Sequence, residues 1–152
     1  MRIIPQTLQL LNKRRIKQIA HFRKYPAEIQ NHSLFELLVK ASETEWGIKY
    51  DYSSIASVMD FQARVPVQSY EDIIPYVERL RNGESDILWP GKIKWFAKSS
   101  GTTSSKSKFI PITREGLENC HFRGSKDCLT IYTLNNPDTQ IFRGKALILG
   151  GS

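Results

Sequence analysis

The chain is poor in the residues that build stapled or metal-centred proteins. It holds two cysteines, Cys120 and Cys128, and three histidines, His21, His32 and His121. Two cysteines cannot make a disulfide scaffold, and they lack the spacing of a metal site. Reduced thiols and a cytoplasmic protein are therefore expected. The histidines are scattered and have no partner at ligand or triad spacing, so no metal-ligating set is expected. No apolar run approaches the length of a membrane span, so a membrane partner is not expected. The opening MRIIPQTLQLL lacks the apolar centre and small-residue cleavage site of a secretory signal. Acidic residues are missing before Glu28. Organelle transit peptides share that trait, and so do basic surface helices, which is the reading adopted here. Internal repeats and low-complexity tracts are also lacking.

What is present is ordinary globular material: 40% apolar and 24% charged residues over 152 positions, with a net charge of +7. That length supports one domain with a real core. The densest charge lies in NKRRIKQIAHFRK, Asn12 to Lys24. Leu8, Leu11, Ile16, Ile19 and Phe22 recur there at helical spacing, which predicts a helix packed on one face with its basic side in water. A patch for nucleic acid or an anionic surface is the competing reading of the same residues.

The spacing predicts a first helix over Thr7 to Tyr25, stopped at Tyr25-Pro26. A second is predicted from Ala27 to Trp46, with Gly47 as its stop. YDYSSIASVMDFQARVPV reads as a short helix with a polar start and an extended end. Ser69 and Asp72 form an approximate capping box for a further helix, closed by Arg81-Asn82-Gly83. Pro75 inside it predicts a kink or an early break. After Pro90-Gly91 the pattern changes. KIKWFA and KFIPIT read as strands, Thr113 as the N-cap of a helix reaching Tyr132, and KALILGG as a buried strand. The class is α/β: a helical segment over residues 1–90, then strand, loop, strand, helix and strand over residues 91–152. About three strands are too few for a usual sheet, so a fragment or the N-terminal part of a larger fold is expected. Cys120 is expected to be a buried structural thiol.

The stretch between the first two strands is unusual. WFAKSSGTTSSKSKFIP, Trp95 to Pro111, holds five Ser, two Thr, one Gly and three Lys. A glycine lets backbone amides turn toward one point, and hydroxyls set short donors beside them. A lysine just beyond supplies a positive charge. Many donors plus a cation is how proteins grip a polyphosphate, although a plain surface connection has the same composition. The loop is not a Walker loop. Lys106 stands where that pattern has its second glycine, and a strand rather than a helix follows. The dinucleotide fingerprint is absent from this loop too.

SSGTTSSKSKFIP resembles the first signature loop of the acyl-adenylate-forming superfamily, Ser-Ser-Gly-Thr-Thr-Gly-x-Pro-Lys. In this sequence Ser107 falls where that lysine stands, and Lys108 comes one position later. The longer spacing, with hydrophobic-hydrophobic-Pro after the lysine, is similar to the auxin-responsive acyl-acid amido synthetases of plants and their bacterial relatives. The run-up VPVQSYEDIIPYVERLRNGESDILWPGKIKWFAKSSGTT resembles that family as well. The resemblance implies an adenylate-forming large domain with a mixed sheet. It implies a ligase that activates a carboxylic acid with ATP and Mg²⁺ and passes the acyl group to an amine, usually that of an amino acid. Ser99, Ser100, Gly101, Thr102, Thr103 and Lys108 would hold the phosphates, and Lys108 would carry the catalytic charge.

Two departures accompany it. Ser105 stands where the family often has glycine. The family's aromatic-x-Ser-x-Glu and Tyr-Arg-x-Gly-Asp motifs are not in this sequence, so these 152 residues are not expected to complete the reaction alone. The alternatives are a basic binding module without enzymatic activity and a degenerate relative that keeps only the fold. The acyl acid, the acceptor amine and the oligomeric state are not legible.

Overall fold

The computed structural model describes residues 12–99, 107–145 and 147. The chain divides into two units: Tyr25–Leu117, and a second made of the segments on either side of it.

In the first unit, α2 spans Pro26–Ala41 and begins on a proline, which forfeits only an amide that has no helical partner there (α1 belongs to the other unit). The sequence predicts this helix running on to Trp46, but it stops at Ala41. The reason is Thr44, buried and extended. Its hydroxyl donates to the Ala41 carbonyl at 2.6 Å and accepts from Gly47 N at 3.0 Å. One side chain thus closes α2 and N-caps α3, Glu45–Lys49. The first amides of α3 donate to carbonyls of a distant loop, Glu45 N to Asp86 O and Trp46 N to Ile87 O. Gly47 is not a stop. It lies inside α3 with its Cα against α2, where an added Cβ would stand 1.9 Å from the Ala41 carbonyl oxygen.

A 3₁₀ turn, Tyr52–Ser54, leads to α4, Val58–Arg64. Ser57 caps α4 by accepting from Asp60 N. The next helix, α5, spans Tyr70–Arg81 and carries the predicted box: Ser69 Oγ accepts from Asp72 N, and Asp72 Oδ2 accepts from Ser69 N at 2.8 Å. Pro75 does not end this helix early, which runs on to Arg81. The amide it lacks would have served the carbonyl of Glu71, an exposed first-turn residue that water can satisfy. Closure at Gly83 follows the sequence: φ is +94° there, the left-handed form that glycine adopts freely.

Leu80, Ile87 and Ile93 form a buried hydrophobic cluster in this unit, with Tyr76, Leu88, Trp89 and Phe96 packed around them. Strand β1, Trp95–Ser99, pairs antiparallel with β2, Lys108–Ile112, in the register Trp95 to Ile112 through Ser99 to Lys108. β2 falls where the sequence places it, whereas β1 starts three residues later than KIKWFA and runs on to Ser99. Thr113 then caps α6, Arg114–Gly116, by accepting from Gly116 N at 2.8 Å. The helix continues as a π-helical stretch, Leu117–Phe122.

The second unit contains α1, Lys13–Lys24, and α7, Arg123–Asn135. Arg15 on α1 forks onto Asp127 on α7, with Nε to Oδ1 at 2.9 Å and Nη2 to Oδ2 at 2.6 Å. Each partner lowers the charging cost of the other. The Arg15 hydrogen bond holds the Asp127 carboxyl below its ordinary range, against a smaller opposing effect of burial. Cys120 and Cys128 are both exposed, which corrects the expectation of a buried thiol. The segment of helix around Cys120 buries nothing. The predicted start of the first helix at Thr7 and most of the KALILGG strand lie outside the described residues. Within them, the sheet is two-stranded and antiparallel, and no helix is long and apolar enough to cross a membrane.

Candidate phosphate-binding hairpin

The Ser/Thr-rich stretch is the connection of the β1–β2 hairpin. Ser100, Gly101, Thr102 and Thr103 lie outside the described residues, as do Ser105 and Lys106. Ser99 and Lys108 are described, and they form the last register pair before the connection. Opposed residues in an antiparallel ladder have Cα atoms about 5 Å apart. A hydroxyl and an ammonium-bearing side chain therefore flank the root of the loop. Their proximity follows from the pairing of two apolar strands, which the sequence made legible.

Lys108 is half-buried. Its Nζ lies 5.1 Å from the centroid of the Tyr70 ring. Among the described residues no carboxylate pairs with it. Tyr70 is the first residue of α5. Its hydroxyl accepts from Phe109 N at 2.7 Å and donates to Phe109 O at 3.2 Å. Arg81, in the last turn of the same helix, sets its guanidinium 4.0 Å from the centre of the Phe109 ring. Both ends of α5 thus reach the first residues of β2. The start of α5 is itself fixed by the Ser69–Asp72 box. Hydrogen bonds from the Ser69 hydroxyl and amide hold the Asp72 carboxyl below its usual range, so it stays ionised as a cap.

Sequence reasoning missed two things. One is Tyr70, thirty-nine residues before Phe109, whose role appears only when helix and strand are brought together. The other was available in the sequence. Residues 87–114 carry five Lys and one Arg and no acidic residue. The hairpin is a block of one charge sign, which focuses a positive field on its surroundings. At its far end lies a separate groove of about 340 Å³, walled by Trp89, Ile93, Trp95, Ile112 and Arg114. Ser99 lies four residue steps beyond Trp95, roughly 13 Å along the strand.

An ammonium that pairs with no carboxylate among the described residues, on the residue that opens β2 after a hydroxyl-rich stretch, is suited to an anion with several oxygens. Among the described residues no cluster of His, Cys, Asp or Glu fits a metal ion.

Comparison with known proteins finds relatives of the chain. Indole-3-acetic acid-amido synthetase GH3.2 of Arabidopsis thaliana is 31% identical over 118 residues, which are 77% of this chain and 22% of that protein. Jasmonoyl-L-amino acid synthetase JAR4 of Nicotiana attenuata is 26% identical over 133 residues, 87% of this chain and 22% of that protein. Among solved structures, AtGH3.15 acyl acid amido synthetase in complex with 2,4-DB superposes with a TM-score of 0.63 at 30% identity, covering 70% of this chain and 19% of that one. The chain therefore spans about a fifth of the length of the relatives it matches. The family description "GH3 family N-terminal domain" matches residues 15–150. The chain belongs to the GH3 family, whose named relatives here are acyl-acid amido synthetases.

Proposed function

We propose that this protein activates a carboxylic acid with ATP as an acyl-adenylate and passes the acyl group to an amine, that of an amino acid. The β1–β2 hairpin would hold the nucleotide's phosphates. The observation that carries this reading is the register pair Ser99–Lys108 at the root of the SGTTSSKS connection, with Lys108 half-buried and free of a carboxylate partner among the described residues. Family membership supports the reaction class. The acids in the relatives' names differ, indole-3-acetic acid in one and 4-substituted benzoates in another, so the proposal stops at a carboxylic acid.

In the first step a carboxylate oxygen of the substrate attacks the α-phosphorus of ATP. The bond from that phosphorus to the bridging oxygen breaks, and pyrophosphate leaves. The carboxylate is already a nucleophile at neutral pH, so no general base is needed. The chain's task is to meet charge. Ser99, Ser100, Gly101, Thr102 and Thr103 would donate hydroxyl and amide hydrogens to the phosphate oxygens. Lys108 would set a cation against the charge that grows on the leaving pyrophosphate. Mg²⁺ bound together with the nucleotide would supply further positive charge beside that of Lys108. In the second step the amine nitrogen attacks the acyl carbon, AMP leaves with the electron pair of the cleaved C–O bond, and the nitrogen loses a proton.

The test is exchange of labelled pyrophosphate into ATP by the protein at its natural full length, across a panel of carboxylic acids. Acid-dependent exchange is expected. Lys108→Met should lower it by about a hundredfold, the scale for removing one preorganised group that stabilises developing charge. Exchange that no acid stimulates would overturn the proposal.

A further inference from the structure

We infer that Tyr70 is the positioning residue for Lys108: its hydroxyl stands in for a neighbouring strand at the outer edge of β2, and its ring seats the lysine's ammonium. Only the purpose of that ammonium rests on the phosphate reading above. The seating itself stands on geometry.

In an antiparallel pair, residues alternate between those that exchange hydrogen bonds with the opposite strand and those whose N–H and C=O point outward. Phe109 lies opposite Lys98. Its N–H and C=O both meet the Tyr70 hydroxyl, at 2.7 Å and 3.2 Å. Phe109 is therefore an outward-pointing residue, at an edge of β2 that pairs with no other strand among the described residues. Bare edges leave polar backbone groups for water or another chain. Here a single phenol oxygen, accepting once and donating once, satisfies both groups. That pair of hydrogen bonds fixes the residue next to Lys108 on the side facing α5.

The same side chain acts a second time. Its ring lies 5.1 Å from the Lys108 Nζ, within the range of a cation–π contact. Lysine is a flexible four-carbon stem, and holding its head costs rotamer entropy. A ring fixed by two backbone hydrogen bonds supplies a seat for that head without neutralising it, as a carboxylate would. The Ser69–Asp72 capping box locks the backbone on which Tyr70 stands. The Ser-Tyr-Glu-Asp run is thus more than a helix start: its Ser and Asp fix the turn, and its Tyr reaches across to the hairpin.

The experiment uses the protein at its natural full length with Tyr70→Phe, Tyr70→Leu, Lys108→Met and the Leu/Met double variant. Circular dichroism checks that each keeps its helices. The first readout is the NMR signal of the Lys108 ε-methylene in lysine-labelled protein. Over an aromatic face it is shifted upfield. The shift should persist in Tyr70→Phe and vanish in Tyr70→Leu, while both variants, which lack the hydroxyl, should speed exchange of the Phe109 amide. The second readout is the affinity for MgATP. Tyr70→Leu and Lys108→Met should each weaken it about tenfold, and the double variant no more than Lys108→Met alone, because residues acting through one contact are not additive.

A Lys108 signal that Tyr70→Leu leaves in place overturns the inference, and so do losses that add in the double variant. If Lys108→Met binds MgATP as the parent does, the phosphate reading falls instead. The seating of Lys108 is then decided by the methylene signal and the amide exchange alone.

Discussion

Replacing Gly47 by alanine separates two lines of reasoning by sign. Glycine inside a helix is about 1 kcal/mol less favourable than alanine, so propensity alone expects Gly47→Ala to stabilise α3. The structure expects the reverse. A methyl group at that position would lie 1.9 Å from the Ala41 carbonyl oxygen, 2.8 Å from the Ala41 carbonyl carbon and 2.9 Å from the Ser42 oxygen. All three are backbone atoms at the end of α2, so no side chain can swing aside. Relief would require parting α2 from α3, and these helices share the Thr44 hydroxyl at their junction. Overpacking of this kind costs typically 1–3 kcal/mol and here belongs at or above the top of that range, about 3 kcal/mol. After the propensity gain the net loss is about 2 kcal/mol, a fall in Tm of roughly 4–8 °C for a chain of this size. Thermal and urea unfolding of the two proteins, followed by far-UV circular dichroism, measures it. A variant as stable as the parent, or more so, would refute the close approach of α3 to α2.

Other consequences are quickly tested. Arg15 holds the Asp127 carboxyl below its ordinary range. A carboxylate whose native pKa is depressed adds stability that is complete above its unfolded value and lost as pH falls through its native one. Arg15→Met should therefore be less stable than the parent at neutral pH, and the gap measured in urea should close as pH drops from about 5 toward 2. A gap that is constant across that range would contradict the pairing. Cys120 and Cys128 are exposed, so a disulfide reagent should titrate both thiols in the folded protein as fast as in the unfolded one. A slow thiol would contradict the exposed face of this helix.

Local chemistry was legible in the sequence wherever a few neighbouring residues decide the outcome. Ser69 with Asp72, Thr113 before its helix and Gly83 after α5 all act as caps. The two strands and the hydroxyl-rich connection between them were equally readable. What failed depended on distant contacts. Gly47 looked like a stop because glycine often ends helices, but its neighbour across space is Ala41. The interruption of α2 turns on burial of one hydroxyl at Thr44. Pro75 looked like a breaker, yet the carbonyl it leaves unserved belongs to exposed Glu71. Tyr70 carried no visible signal beyond its place in a family-like run, since its partners lie in a strand far along the chain. The charge block over residues 87–114 was there to be read, and it marks the same hairpin.

The most direct measurement is a titration of the isotopically labelled chain with MgATP, magnesium tripolyphosphate and adenosine, reading every backbone amide by NMR. The account predicts that both phosphate-bearing ligands move the amides from Ser99 to Phe109 in the same way, that adenosine leaves them unmoved, and that Lys108→Met abolishes the response. Shifts centred on the basic helix α1, or a hairpin that ignores all three ligands, would contradict it.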